Sequence, residues 1–431
     1  SSGSGHFTEA DYAEILRHAA ARHVEVIPEI EMPGHARAAV QAMNARARRL
    51  SAAGLPGARD FLLADPADRS RYSSAQRYED HLMDPGLPST YRFIEHVVAA
   101  ITAMHRRAGV PLKQLHVGAD ELPNGAWAGS PASLAMIERE KLAGLPGLWN
   151  RFYDRVGEIL RRHGLAAGGW EELGSRRDKL EGVDKGFGSG PLVPNEHFLG
   201  RGHTLYVWNN LDEADDLGYR LANAGYRVVL APATKLYFDM AANTNPGEAG
   251  VNWAAMIELR DVFEHRPLDA LRSPSGVALT PAGRARVAGV EGTLFAEIMP
   301  TRERLEHLML PRLFALAERA WAAEPTGPRG DDAAWSRFAH QVGRQLLPAL
   351  QRDLPDVAFR IPPPGLRRVG DAAEVNTAWP GLVVRFTTDG SEPTAQSPAV
   401  AGSRIETRAL IRAAAFDPQG RRSLVFDLDL R

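Results

Sequence analysis

The sequence contains no cysteine in 431 residues, which excludes disulfides, thiolate metal sites and cysteine nucleophiles. No run approaches the roughly 20 apolar residues needed to span a bilayer. No long basic stretch occurs either. Arg46, Arg48 and Arg49 form the densest basic cluster, and the formal net charge is −2. Nucleic acid and anionic membranes are therefore not expected partners. HExxH, GxSxG and Walker-type glycine motifs are absent, so zincin, serine-elbow and P-loop chemistry are not indicated. No signal peptide is visible, and the opening Ser1-Ser2-Gly3-Ser4-Gly5 reads as loop.

What remains is ordinary globular material, with 44% hydrophobic and 24% charged residues. The length suggests two domains, or one large barrel with an attachment. Thr8-Glu9-Ala10-Asp11 reads as a capping box that opens a helix, with Tyr12, Ile15, Leu16 and Ala19 on its apolar face. A strand over 24–30 leads into Glu31-Met32-Pro33-Gly34-His35. Residues 41–87 form a helix-then-loop excursion, and loops of that length in compact domains are usually functional. A helix over 90–108 precedes a strand at 115–117, which runs through Gly118-Ala119 into Asp120-Glu121.

The alternation continues with a helix over 149–162 and a strand over 165–170 that ends in Trp170-Glu171-Glu172. Strands at 204–208, 227–231 and 287–295 follow, with a helix over 213–224 between the first two. Helices over 305–323, kinked at Pro311, and over 334–350 close this part. Six strands with polar or aromatic ends predict a (β/α)8 TIM barrel whose rim carries the site. A doubly wound sheet is the alternative, but it would gather its site at one switch point. The proline run at 359–365 reads as a stiff linker. Strands at 382–387, 405–415 and 423–430, with a hairpin signal at Asp389-Gly390, predict a small all-β, sandwich-like domain. The expected domains are thus a barrel over 1–355 and a β domain over 356–431.

Asp120 and Glu121 are the first candidates for chemistry. In an extended strand, adjacent side chains point to opposite faces, but Gly118-Ala119 would permit a bend that turns both acids into one pocket. One carboxyl, its pKa raised by burial, could then donate a proton while the other stays ionised. The bland alternative is a helix cap. Trp127, Trp170, Trp208, Tyr237, Trp253 and Phe295 offer faces for sugar rings, although singly a tryptophan is more often core. Together with carboxylates on one barrel rim they suggest a carbohydrate site. His35, His116, Glu29, Glu31 and Asp120 could in principle bind zinc. No ligand-spaced cluster supports this, and His116 reads as inward-facing barrel filling. No metal or cofactor is expected.

At this point the motifs resemble glycoside hydrolase family 20, the β-N-acetylhexosaminidases, particularly the bacterial chitobiase branch. The segments are VIPEIEMPGHARAAV at 26–40, HVGADELPNGAW at 116–127, GWEEL at 169–173, YVW at 206–208, LYFDM at 236–240, GVNWA at 250–254 and GVEGTLFAE at 289–297. FRIPPPG at 359–365 and FTTDGSEPT at 386–394 resemble the linker and C-terminal domain of that branch. The resemblance implies substrate-assisted retaining hydrolysis, in which the substrate's own 2-acetamido oxygen is the nucleophile. It implies that Glu121 is the general acid and then base, that Asp120 orients the acetamido nitrogen, and that Tyr237 binds the acetamido oxygen. Trp170 and Trp208 would wall the acetamido pocket. Asp239 and Glu297 would hold sugar hydroxyls, Trp253 would stack on the next sugar, and His35 would sit behind the acid. Phe295 stands where the family usually has tryptophan, which leaves one wall of the pocket smaller.

The resemblance also implies that the first two barrel strands are missing from this chain, so that a second chain or a longer polypeptide supplies them. It implies a periplasmic or secreted setting. The expected activity is exo-hydrolysis of terminal GlcNAc or GalNAc from chitooligosaccharides or glycans. The rivals are an inactive fragment or carbohydrate-binding protein, and a disaccharide-releasing enzyme of the lacto-N-biosidase type.

Overall fold

A computed structural model describes residues 5–179, 187, 189–269, 276–323 and 330–431. The chain divides into two compact units. The first runs to Leu230 and takes back 269–289; the second holds 231–268 and 290–431. Among the described residues no helix is long and apolar enough to cross a membrane.

In the first unit, helix α1 (Glu9–Ala20) opens on the expected capping box, with Thr8 and Asp11 exchanging bonds. Strand β1 is Glu29–Met32, starting later than the expected 24–30. Helix α2 (Arg37–Ala52) and a long loop then lead to α3 (Pro88–Ala108), which stops at left-handed Gly109. Strand β2 (Gln114–Gly118), helices α4 (Pro131–Glu140) and α5 (Gly144–Arg162), and strand β3 (Ala166–Trp170) follow. A hairpin, β4 (Ser175–Lys179) with β5 (Ser189–Pro194), was not foreseen, because its strands lack apolar alternation. Then come β6 (Thr204–Val207), α6 (Leu217–Ala224), β7 (Arg227–Leu230) and β8 (Val287–Val290).

These strands form one six-stranded sheet in the order β1-β2-β3-β6-β7-β8. The β1–β2, β2–β3, β3–β6 and β6–β7 pairs are parallel. Parallel neighbours need crossover connections, and α3, α5 and α6 supply three of them. This is the (β/α) barrel architecture, and its strand C-termini carry the candidate residues. Strand β2 shows why the sheet is interior. Leu115 and Val117 are fully buried, and so is His116 between them.

The second unit holds the antiparallel part. Strands β9 (Gly365–Val369), β10 (Ala372–Asn376) and β12 (Arg404–Glu406) form one sheet. Strands β11 (Val383–Thr387), β13 (Leu410–Phe416) and β14 (Phe426–Asp429) form another. Ala373, Val375, Val384, Ile405, Ile411, Ala413 and Leu430 make their core. The helix expected over 305–323 is two helices, Arg302–Met309 and Arg312–Trp321. Pro311 lies between them, and the preceding Leu310 is extended, as a residue before proline tends to be.

The expected linker is not a free spacer. Phe359, Arg360 and Ile361 are buried, and Arg360 makes four bonds of 2.9–3.0 Å to Glu248 and Glu258.

Candidate active site

The end of β2 is bent as the small residues allow. Gly118, Ala119 and Glu121 all have positive φ, at 67°, 89° and 53°. A Cβ on Gly118 would lie 1.9 Å from Oε2 of Glu31, so only glycine fits there. Left-handed backbone at Ala119 and Glu121 is strained, and such strain concentrates at functional sites. The bend brings both acids to His35, itself at φ 46°. Its Nε2 lies 3.4 Å from Asp120 Oδ2 and 3.3 Å from Glu121 Oε2.

The long loop after α2 closes this cluster. The His35 amide donates to His81 Nδ1 at 3.1 Å, and Gln76 Nε2 donates to Glu121 Oε2 at 3.4 Å.

The charges follow from these contacts. Hydrogen bonds to Asp120 and Glu121 outweigh burial and push the His35 pKa up to about 10, so the imidazole is a cation at neutral pH. The His35 hydrogen bond holds the Glu121 carboxyl below its usual value, against the effect of burial. The expected proton donor is therefore ionised at rest, because the His35 cation 3.3 Å away outweighs its burial. Burial and the nearby Asp120 charge push Glu31 up to about 10, so Glu31 holds a proton at neutral pH.

The segment after β3 ties the neighbouring strand ends together. Trp170 Nε1 donates to Glu29 Oε1 at 3.0 Å, and His116 Nδ1 lies 3.1 Å from the same oxygen. The His116 ring packs edge-on against Trp170 and Tyr206, which makes it core, as expected. Glu171 is fully buried and accepts from the amides of Trp208 and Asn209 at 3.0 and 3.1 Å. Burial outweighs these bonds and pushes its carboxyl up to about 8. Glu172 accepts from the Glu121 amide at 3.4 Å, and burial beside Glu171 and Asp120 holds its carboxyl well above the usual range. Trp127 is not a sugar platform. It is buried, and its Nε1 donates to Met83 O at 3.0 Å.

The second unit carries its own set. Tyr237 pairs with Thr293 in an isolated parallel bridge. Its ring lies 5.8 Å from Trp253 and 5.2 Å from Phe295. Trp253 is 53% exposed and Phe295 38% exposed, as surfaces open to a ligand would be. Asp239 is buried, and its Oδ1 has no hydrogen-bond partner among the described residues. Burial pushes its carboxyl up to about 6, with Glu297 adding to the rise. A buried oxygen without a donor is what a sugar hydroxyl could satisfy. Among the described residues no three acidic, histidine or cysteine side chains are grouped to hold a metal ion.

Residues 1–324 match the family description "Glycosyl hydrolase family 20, catalytic domain". The chain belongs to glycosyl hydrolase family 20. Residues 349–424 match the chitobiase/beta-hexosaminidase C-terminal domain. A beta-hexosaminidase of Vibrio vulnificus is 30% identical over 429 residues, covering 90% of this chain and 48% of that protein. The N,N'-diacetylchitobiase of Vibrio harveyi is 28% identical, covering 90% of this chain and 49% of that protein. This family 20 chain thus spans about half the length of the curated relatives it matches. The solved exo-beta-N-acetylglucosaminidase of Vibrio harveyi in complex with N-acetylglucosamine superposes with a TM-score of 0.61. It is 29% identical, and the match covers 83% of this chain and 46% of that one.

The sequence reading of this family 20 chain placed His35, Asp120 and Glu121 in one cluster, and the structure joins them. It weighs Glu31 only as a zinc ligand beside His35 and Asp120, and it has no role for Gln76, His81, Glu171 or Glu172 in the site. Gln76 and His81 lie in a loop without periodicity, so only the length of that loop hinted at a role. For Glu171-Glu172 the signal was two acids directly after a strand-end tryptophan.

Proposed function

We propose that this chain is the catalytic part of an exo-β-N-acetylhexosaminidase that removes terminal GlcNAc or GalNAc from chitooligosaccharides or glycans. The observation that carries the proposal is the shared contact of His35 with Asp120 and Glu121 on a strained β2 end, in a chain of this family. Asp120 accepts from the acetamido N–H and turns the acetamido oxygen toward C1. That oxygen bonds to C1 as the glycosidic C1–O bond breaks, and Glu121 gives its proton to the departing oxygen. A water then attacks C1, Glu121 takes its proton, and the oxazolinium ring reopens with retention. Because Glu121 is ionised at rest, the proton it passes on is drawn from the His35 imidazolium across the 3.3 Å contact, and the proton that Glu121 takes from water returns to His35.

An internal nucleophile needs placement more than activation. Tyr237 holds the acetamido oxygen and Asp239 a ring hydroxyl, with Glu297 on a further hydroxyl. Trp170, Trp208 and Phe295 line the N-acetyl group, and Trp253 stacks on the following sugar.

The test is product sizing. Chitotriose should lose single N-acetylglucosamine units from its non-reducing end, and 4-nitrophenyl N-acetyl-β-D-glucosaminide should be hydrolysed. Release of an intact disaccharide from lacto-N-tetraose, or ligand binding without any turnover, would overturn the proposal.

A further inference from the structure

Arg312 opens the helix Arg312–Trp321 and is almost entirely buried. A guanidinium has five N–H donors in a fixed plane, and here all five are used. Nε donates to Leu308 O at 2.9 Å. Nη1 donates to Met240 O at 2.9 Å and to Ile257 O at 3.1 Å. Nη2 donates to Phe238 O and Leu308 O, both at 2.5 Å. The guanidinium carbon also lies 5.3 Å from the centre of the Phe238 ring.

Every acceptor is a backbone carbonyl. A buried cation whose every hydrogen bond goes to a carbonyl dipole, with the charges of Glu258, Glu248 and Asp239 in its surroundings and that of Arg360 opposing them, is a costly way to stabilise a loop, since apolar packing would serve better. The cost shows in the Arg312 pKa, which burial draws down to about 10. The location of the acceptors gives the cation a use. Phe238 and Met240 flank Asp239, and Phe238 directly follows Tyr237. One rigid fork therefore fixes the main chain on both sides of Asp239 and directly after Tyr237, the two groups proposed to hold the sugar.

We infer that Arg312 is a positioning residue for the proposed hydrolysis, locking the 237–240 turn so that the Tyr237 hydroxyl and the Asp239 carboxylate are presented at a fixed spacing. The inference rests on the roles proposed for those two side chains, and its test separates the two ideas. The value of kcat/KM on 4-nitrophenyl N-acetyl-β-D-glucosaminide is measured for four forms of the full chain: native, Arg312→Lys, Tyr237→Phe with Asp239→Asn, and all three changes together. Arg312→Lys should lower kcat/KM about a hundredfold in the native background, the scale of loss from misplacing a binding group by about 1 Å. With Tyr237 and Asp239 already altered, the same change should cost about twofold or less, because contacting groups are not additive and no placement is left to lose.

Equal losses in both backgrounds would overturn the inference and leave the proposed function standing. A Tyr237→Phe, Asp239→Asn form with native kcat/KM would overturn the assigned roles and the inference with them. A native chain that neither hydrolyses the substrate nor binds N-acetylglucosamine would do the same. If circular dichroism shows Arg312→Lys unfolded, Arg312→Gln, which keeps two N–H donors without a charge to bury, takes its place in the cycle.

Discussion

His35 sets the charge of the site with one ring. Its cation stabilises the Glu121 carboxylate, so removing it should raise the Glu121 pKa. In His35→Gln, Glu121 must hold the donated proton by itself, so the alkaline limb of the kcat/KM profile should move to lower pH; an unmoved limb would mean that His35 does not supply that proton. Glu121→Gln should cut turnover of unactivated glycosides by about 10²–10⁴-fold while N-acetylglucosamine still binds, and steady-state kinetics with calorimetry would show both. His35 also affects stability. Its folded pKa of about 10 lies above the ordinary 6.5, so the fold binds its proton more tightly than the unfolded chain does. The stabilisation is complete below pH 6.5 and is lost as pH rises toward about 10. Thermal melting should show this alkaline decline in the native chain and a smaller one in His35→Gln.

The element that does most for the rim is the turn after β3. Trp170, Glu171 and Glu172 follow one another, yet their polar partners lie on β1, the loop after β6 and the end of β2. A strand-end acid reads as solvated in a sequence, since nothing local says that neighbouring strands will cover it. Glu171→Ala removes the carboxyl that accepts from the amides of half-buried Trp208 and Asn209, at a cost of up to about 1–3 kcal/mol for each amide. Urea unfolding should register that loss, and KM should rise as the Trp208 loop loosens. Native stability in this variant would mean that water or a neighbour replaces the carboxylate.

At the scale of the whole chain, the segment before β9 is anchored by charge. Arg360 is buried against Glu248 and Glu258, and burial is outweighed by their two carboxylates, which hold the guanidinium pKa above its usual value. Removing one partner of a buried ion pair costs about 3–5 kcal/mol, because the other is left uncompensated. Arg360→Ala should lower the unfolding free energy by about that much, measured by denaturant titration, whereas an exposed linker arginine would change it by less than about 0.5 kcal/mol. The run Ile361-Pro362-Pro363-Pro364 reads as a spacer from composition alone. Its docking depends on two glutamates over a hundred residues earlier, at separations that no local pattern encodes.

The sequence by itself determined the alternation of strands and helices, the strand ends that carry acids and aromatics, the family and the separate antiparallel part. All of these depend on local period, turn chemistry and motif order, which neighbouring residues express. The tertiary structure decided that Trp127 is core, that Glu121 rests ionised while Glu31 holds a proton, and that Glu171 and Arg312 hold the main chain around the candidate site. Those outcomes depend on burial and on charges brought together from distant parts of the chain. An ionisation state is a property of the surroundings, and the surroundings exist only once the chain has folded.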